Sequence, residues 1–333
     1  MSEDLLFRNN QQKLCTWRGM NGQTKQVNIA LSGKTQNNAY AFMKNGLKWG
    51  ITSALGIASF TILSKFLIQH FSAGWLLLAS GLGIVLLLQR TIKNWNVYKV
   101  WSKKEWKLVF VLAMLSGLYN ICFFLGLNFL PATIMAMFLG LAPLLLILRT
   151  CGIEKRKPML LEAVSGLSAI IGVYLMLGIR VQSYSLIGIS CGIGALAFAT
   201  NASFLMGRMR EKIDAKEVVF TKQLSKILFG CAGILIWFKI PSSSPHSIAI
   251  LWALLIIVGC LSMFVSFMTS KTAFALPPLP FENILLLNLP IVAICDMWIF
   301  EDYLHPSQWA GILLMVASAI IGIFSGEERI KAI

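Results

Sequence analysis

Long apolar runs, separated by short polar segments, make up most of the 333-residue chain. Each run holds about 20 residues, which is the length that an α-helix needs to cross the hydrocarbon core of a bilayer. Backbone polar groups in hydrocarbon must be satisfied within the segment, so the runs are predicted to be helical. The pattern predicts ten membrane spans, numbered 1 to 10 in chain order, at about 46–69, 72–90, 108–128, 131–149, 159–178, 186–207, 218–240, 249–271, 279–299 and 307–325.

The first 45 residues depart from this pattern. They are polar, rich in Asn and Gln, and have no apolar segment of the kind found in a signal peptide. We expect a loosely ordered cytoplasmic tail at 1–45 and a second, short cytoplasmic tail at 326–333. A regulatory or partner-binding role of the longer tail is the alternative, as for other disordered tails.

Composition supports a membrane protein and argues against several other classes. Hydrophobic residues make up 57% and charged residues 13% of the chain, with a mean hydropathy of +0.73, whereas soluble domains carry about 25% charged residues. The seven cysteines show no metal-ligand or CxxC spacing, so no disulfide, metal or cofactor is expected. The motif HExxH and the phosphate-binding loop are absent, which argues against an enzyme.

The net charge of +15 is unevenly distributed. Lys and Arg concentrate in the N-terminal tail and in the alternate connections at about 90–107, 149–157 and 208–216. An excess of positive charge in alternate loops marks the cytoplasmic side, so both termini are predicted to be cytoplasmic. Topology and attraction to anionic lipid explain the charge, and no nucleic-acid partner is expected. Lys222 and Lys226, in span 7, are expected to extend toward the headgroups.

The two halves of the chain resemble each other. The segment "KWGITSALGIASFTILSKFL" (48–67) aligns without gaps on "LIGISCGIGALAFATNASFL" (186–205), with matching glycines and phenylalanines. The segment "LPATIMAMFLGLAP" (130–143) likewise resembles "PPLPFENILLLNLP" (277–290), with the prolines in register. Span 1 therefore resembles span 6, and span 4 resembles span 9.

This similarity predicts an internal repeat of five helices, with copies at 46–178 and 186–325. Because five is odd, the second copy would enter the membrane from the opposite side. Inverted repeats of this kind are common in transporters, which bind their substrates between the two halves. The predicted fold class is an all-α integral membrane protein with ten transmembrane helices in two inverted five-helix repeats.

Three stretches of the chain are similar to one known family. They are "FFLGLNFLPATIMAMFLGLAPLLLIL" (123–148), "LPIVAICDMWIFEDYLHPSQWAGILLMVASAIIG" (289–322) and "WGITSALGIASFTILSKFL" (49–67). Their order and spacing resemble the EamA-like proteins of the drug/metabolite transporter superfamily, which have ten helices in two halves. The chain lacks the arginine that the family often has early in its second helix, and its junction "LPPLPFEN" is unusually rich in proline.

The resemblance implies secondary transport of a small organic metabolite by alternating access. Members move amino acids, nucleotide-like metabolites, sugar conjugates or drugs, and many bacterial members are exporters. We therefore expect efflux of an amino acid or a related compound across a bacterial inner membrane. Uptake or exchange of a nucleotide-like metabolite, such as S-adenosylmethionine or a nucleotide-sugar, is the alternative. A membrane scaffold that binds partners through its tail is the alternative from another class.

Polar side chains within the spans are candidate substrate-binding residues, because burying such groups in a membrane is costly. The candidates are Lys65, Tyr119, Asn120, Asn201 and Asn288. Hydrogen bonding between helices is the alternative for the asparagines. For Lys65, the alternatives are snorkelling to the outer interface, contact with a substrate carboxylate, and pairing with Asp296.

Three further residues are candidates for gating or coupling. Lys271 and Glu282 flank the turn between spans 8 and 9, where they would form an inner gate or a simple surface pair. Asp296, in span 9, is a candidate proton-coupling carboxylate, because burial favours the protonated form. The expected partners are a small organic solute, the lipid bilayer, and a proton or a counter-substrate, with the chain acting as a monomer or homodimer.

Overall fold

The described residues of this computed structural model are 33–83, 102–154, 160–177, 185–209, 213–236, 245–276, 278–301 and 304–332. The predicted tail at 1–45 and the basic loop at 90–107 lie largely outside them. The described parts are helical, with short turns and no strand. The helices are α1 (Gly33–Ile68), α2 (Ala73–Leu82), α3 (Lys103–Phe129), α4 (Ala132–Leu139), α5 (Ala142–Glu154), α6 (Leu160–Leu177), α7 (Leu186–Met209), α8 (Ala215–Ile236), α9 (Pro245–Ala275), α10 (Pro278–Leu285), α11 (Asn288–Phe300) and α12 (Pro306–Ala332).

The contacts divide the chain into a unit that ends at Phe42 and a unit from Met43 to Ile333, and everything below concerns the second unit. Among the described residues, seven segments are long and apolar enough to cross a membrane. Three shorter apolar helices lie at Ala73–Leu82, Leu160–Met176 and Pro306–Gly322. All ten predicted runs therefore contain an apolar helix or a pair of short helices.

Large apolar side chains cover the outside of the helical unit. Tyr174, Leu235 and Trp298, for example, are 73%, 87% and 79% exposed. A soluble protein rarely exposes contiguous apolar surface on this scale, whereas lipid is an apolar solvent. The exterior is therefore that of a multi-pass membrane protein.

Two of the predicted spans are broken in their middle. In span 4, α4 ends at Leu139 and α5 begins at Ala142; in span 9, α10 ends at Leu285 and α11 begins at Asn288. Each second helix carries a proline in its first turn, Pro143 or Pro290. Because proline lacks an N–H donor and its ring excludes the carbonyl four residues earlier, a continuous helix cannot form through either position.

Helices α6 and α12 are joined by a reciprocal pair of hydrogen bonds. The Ser165 hydroxyl donates to the Ser318 carbonyl oxygen at 2.9 Å, and the Ser318 hydroxyl donates to the Ser165 carbonyl oxygen at 2.7 Å. Two turns away, Gly172 and Gly311 meet so closely that a Cβ on either would lie within 2.8 Å of the other's carbonyl oxygen. The lack of a side chain at both glycines permits this approach.

These contacts have the pattern that two related halves would produce. The displacement along the sequence that carries α4 onto α10, which is one position shorter than the register of the prolines, also carries Ser165 onto Gly311 and Gly172 onto Ser318. The pair α2 and α8 is also joined through facing glycines, Gly74 and Gly233. Reciprocal contacts are characteristic of two-fold interfaces. The complete inverted repeat of ten helices stays a prediction that these relationships support.

Candidate functional site

A cavity of about 160 Å³ lies beside the breaks in both interrupted spans. Gly140 and Ala142 line it from the first break, and Leu285, Leu286 and Asn288 line it from the second. Its remaining walls come from α1, α3, α7, α8 and α9. Interrupted helices in matching positions of two halves are the general structural indicator of a transporter's binding site.

One wall of the cavity is cationic. Lys222 and Lys226 lie one turn apart on α8, and both face the cavity. The Lys226 ammonium group donates to the hydroxyl oxygens of Ser262 at 2.7 Å and of Ser266 at 3.3 Å, both on α9. Lys226 is only 6% exposed, so this charge is held inside the helix bundle by neutral hydroxyl groups.

Glu282 supplies the negative charge in the cavity wall. It lies on α10, where its carboxyl group is close enough to Ser203 for a side-chain hydrogen bond and interacts electrostatically with Lys222. Glu282 is buried, which makes this pairing energetically important because an isolated carboxylate would be strongly disfavoured there. The acid thus compensates the charge of one of the two lysines.

Aromatic rings form another wall. Phe60 of α1 and Phe123 of α3 stack with their ring centroids 6.1 Å apart and their planes 14° apart. Tyr119 packs against Phe123 with a centroid distance of 5.8 Å, and all three residues line the cavity. Flat aromatic surfaces of this kind bind rings and other apolar bodies.

Two amide side chains complete the polar lining. Asn120 is buried on α3 and donates from Nδ2 to the Ser116 carbonyl oxygen at 2.6 Å. Asn288 is buried at the first position of α11, directly after the second break. Both residues line the cavity, so their side chains are placed to fix the orientation of a bound solute.

A second cavity of about 290 Å³ lies between α2 and α9. It is larger than the central cavity, but its lining is almost wholly apolar and includes Leu82 and Ile256, which are exposed on the outer surface of the bundle. It offers no charged group that could orient a polar solute. The central cavity is therefore the candidate functional site.

Residues 44–178 match the sequence profile of the EamA-like transporter family. This part of the chain is similar to that family, which lies within the drug/metabolite transporter superfamily. EamA-like proteins are membrane transporters and not enzymes, and the similarity to them extends over residues 44–178.

A solved structure, described only as the crystal structure of a protein, resembles this EamA-like chain with a TM-score of 0.54 and 13% sequence identity. The match covers 88% of this chain and 99% of the other, which supports a shared fold and nothing more specific. No curated protein matches the sequence.

Four of the sequence-predicted candidates meet in the central cavity of the EamA-like chain: Tyr119, Asn120, Glu282 and Asn288. Asn201 lies elsewhere, where it accepts from Arg149 and donates to the Ala197 carbonyl oxygen at 2.7 Å. Its contacts correspond to the hydrogen-bonding alternative for this residue. Its predicted contact with substrate stays a prediction.

Lys271 contacts aromatic rings instead of an acid. Its ammonium nitrogen lies 4.4 Å from the ring centroid of Trp49 and 4.5 Å from that of Phe267. The carboxyl group of Glu282 interacts with Ser203 and Lys222. The predicted gate between Lys271 and Glu282 is therefore not formed in this conformation, because the two side chains have different partners.

Lys65 and Asp296 both form hydrogen bonds with residues at the junction between α3 and α4. The Lys65 ammonium group donates to the carbonyl oxygens of Leu127 and Leu130, each at 2.8 Å. Asp296 accepts at Oδ2 from the Thr133 backbone N–H at 2.7 Å and from the Thr133 hydroxyl at 2.8 Å. Lys65 thus binds backbone carbonyl groups, whereas snorkelling would place its ammonium group at the outer interface. Asp296 binds Thr133, and its predicted role in proton coupling stays a prediction. Neither residue lines the central cavity.

The two cavity lysines were missed as site residues. The prediction that Lys226 extends toward the headgroups is wrong, because α8 begins at Ala215 and Lys226 lies roughly 16 Å further along the helix. A signal was available in the sequence: Lys222 and Lys226 are four residues apart, as are Ser262 and Ser266. That spacing places each pair on one face of its helix.

Proposed function

We propose that this EamA-like chain is a secondary transporter that moves a small organic metabolite through the central cavity by alternating access. The observation that carries the proposal is the position of the cavity, beside the breaks of α4–α5 and α10–α11. A break exposes backbone polar groups without a helical partner, and such groups can bind a solute at the centre of a membrane protein.

The size of the cavity favours a solute as small as an amino acid. An apolar protein cavity of about 150 Å³ accommodates benzene, and the central cavity has about 160 Å³. A nucleotide-sugar or S-adenosylmethionine would require a larger opening of the bundle. The proposed direction is efflux across a bacterial inner membrane, with both termini in the cytoplasm and a proton or a counter-substrate as coupling partner.

Purified protein can be screened against a metabolite panel by thermal stabilisation, because a ligand that binds only the folded state raises its stability. Solutes that stabilise the protein are then assayed for uptake into proteoliposomes. We expect the double variant Tyr119→Phe, Asn120→Leu to reduce the transport rate or raise KM. Tyr174→Phe, on the exposed outer face of α6, is the matched control. Unchanged transport by the double variant would contradict the proposed site.

A further inference from the structure

The charges of the central cavity do not balance. Of the described residues that line it, the only basic or acidic ones are Lys222, Lys226 and Glu282. Glu282 interacts with Lys222, whereas the ammonium group of Lys226 donates to the hydroxyl groups of Ser262 and Ser266. When all three side chains are ionised, the cavity has an excess of one positive charge.

A buried ammonium group is unfavourable unless an opposite charge compensates it. Hydroxyl oxygens of Ser262 and Ser266 accept hydrogen bonds from Lys226, but they do not neutralise its charge. An ammonium group has three N–H donors, and the two serines occupy two of them. The third donor and the net charge are both available to an anionic group that enters the cavity.

The aromatic lining and the volume of the cavity indicate the shape and polarity of the rest of the ligand. The rings of Phe60, Phe123 and Tyr119 provide a flat apolar surface. The volume of about 160 Å³ leaves room for roughly one ring with a short side arm. A phosphate monoester carries between one and two negative charges near neutral pH, whereas a carboxylate carries the single charge that is needed.

We infer that the substrate is a small organic monoacid with an apolar or aromatic body, and that its carboxylate binds the ammonium group of Lys226. This inference rests on the proposed transport function and specifies the ligand of the same cavity. A zwitterionic amino acid fits less well, because its carboxylate would compensate Lys226 but its ammonium group would add one uncompensated positive charge while Glu282 already interacts with Lys222. The serines hold Lys226 in position for the acid.

The test compares three probes of similar shape with the purified full-length chain: 3-phenylpropanoate, 3-phenylpropanamide and L-phenylalanine. Titrations of the thermal unfolding midpoint give an apparent Kd for each probe. We expect the acid to bind at least about tenfold more tightly than the amide and more tightly than phenylalanine, since loss of one partner from a buried charge pair is costly.

Variants then assign the effect to one side chain. Lys226→Met should weaken binding of the acid at least about tenfold and leave binding of the amide unchanged. Lys226→Arg keeps the charge, should retain most of the affinity, and serves as the second variant if Lys226→Met does not fold. Lys107→Met is the matched control, because Lys107 is an exposed lysine on α3.

Several results would overturn the inference. These are equal affinity for acid and amide, tighter binding of phenylalanine, no stabilisation by the acid at millimolar concentration, or full binding of the acid by Lys226→Met. A neutral or zwitterionic solute whose transport needs Tyr119 and Asn120 but not Lys226 would reject the anionic substrate while leaving the transport function intact. Failure of the cavity variants to affect any transported solute would reject the transport proposal itself.

Discussion

Lys65 and Asp296 form hydrogen bonds with the two helix ends that flank the same turn, between α3 and α4. Lys65 donates to the carbonyl groups of Leu127, in the last turn of α3, and of Leu130, directly after α3. Asp296 accepts from the backbone N–H of Thr133, in the first turn of α4. A cation at the carboxyl end of a helix and an anion at the amino end both interact favourably with the helix dipoles. The two charges therefore stabilise the junction that joins α3, one helix of the cavity wall, to the interrupted span.

Replacement of Lys65 by Met should lower the stability of the folded chain. The carbonyl groups of the buried residues Leu127 and Leu130 would lose a charged donor, at a cost of about 1–3 kcal/mol. Thermal or chemical unfolding of the purified variant measures this loss, with Lys107→Met as the exposed control expected to change stability by less than about 0.5 kcal/mol. Unchanged stability combined with lost transport would instead favour the predicted contact between Lys65 and a substrate carboxylate.

Two substitutions at Asp296 separate a structural role from proton coupling. Asp296→Ala removes the acceptor of the Thr133 N–H and should cost about 1–3 kcal/mol of stability. Asp296→Asn keeps an acceptor oxygen, and Asn and Asp are similarly effective at helix amino ends, so it should cost less and preserve transport. A stable Asp296→Asn protein that no longer responds to a pH gradient would show that the carboxyl group carries a proton.

The contact between Gly172 and Gly311 should not accept a side chain. A Cβ at Gly172 would lie 2.7 Å from the Met315 Cγ atom and 2.8 Å from the Gly311 carbonyl oxygen. Gly172→Ala is therefore expected to destabilise the protein by about 1–3 kcal/mol through overpacking. Gly152→Ala is the matched control, because no atom lies within 4 Å of its Cβ position, and Ala is favoured over Gly in a helix. Equal stability of the two variants would contradict the reported packing of α6 against α12.

Local sequence patterns were sufficient to predict the helices and part of the cavity. Apolar run length placed the helical segments, whereas the interruptions next to Pro143 and Pro290 were not predicted. Tyr119 and Asn120 stood out because they are polar groups near the centre of a span, where no interface is within reach. The same reasoning placed Asn288 beside Pro290, and all three line the cavity.

The roles of Lys65, Asp296 and Lys226 were not predictable in this way. Asp296 and Thr133 are separated by 163 positions, and Lys65 and Leu127 by 62, so their contacts depend on how distant helices pack. For Lys226, the assumed start of span 7 at about residue 218 placed the side chain too close to the interface. The helix begins at Ala215, and the charge turns inward toward α9 because Ser262 and Ser266 provide acceptors there.

Alternating access is tested most directly by labelling a cysteine in the cavity from each side of the membrane. Ala199→Cys, in a background without the seven native cysteines, places a thiol in the cavity wall on α7. Ala195→Cys, one turn earlier and fully buried outside the cavity, is the control. We predict that a membrane-impermeant thiol reagent labels position 199 from the inside and, separately, from the outside, while position 195 stays unlabelled. Labelling of position 199 from one side only, under every substrate condition, would contradict transport through this cavity.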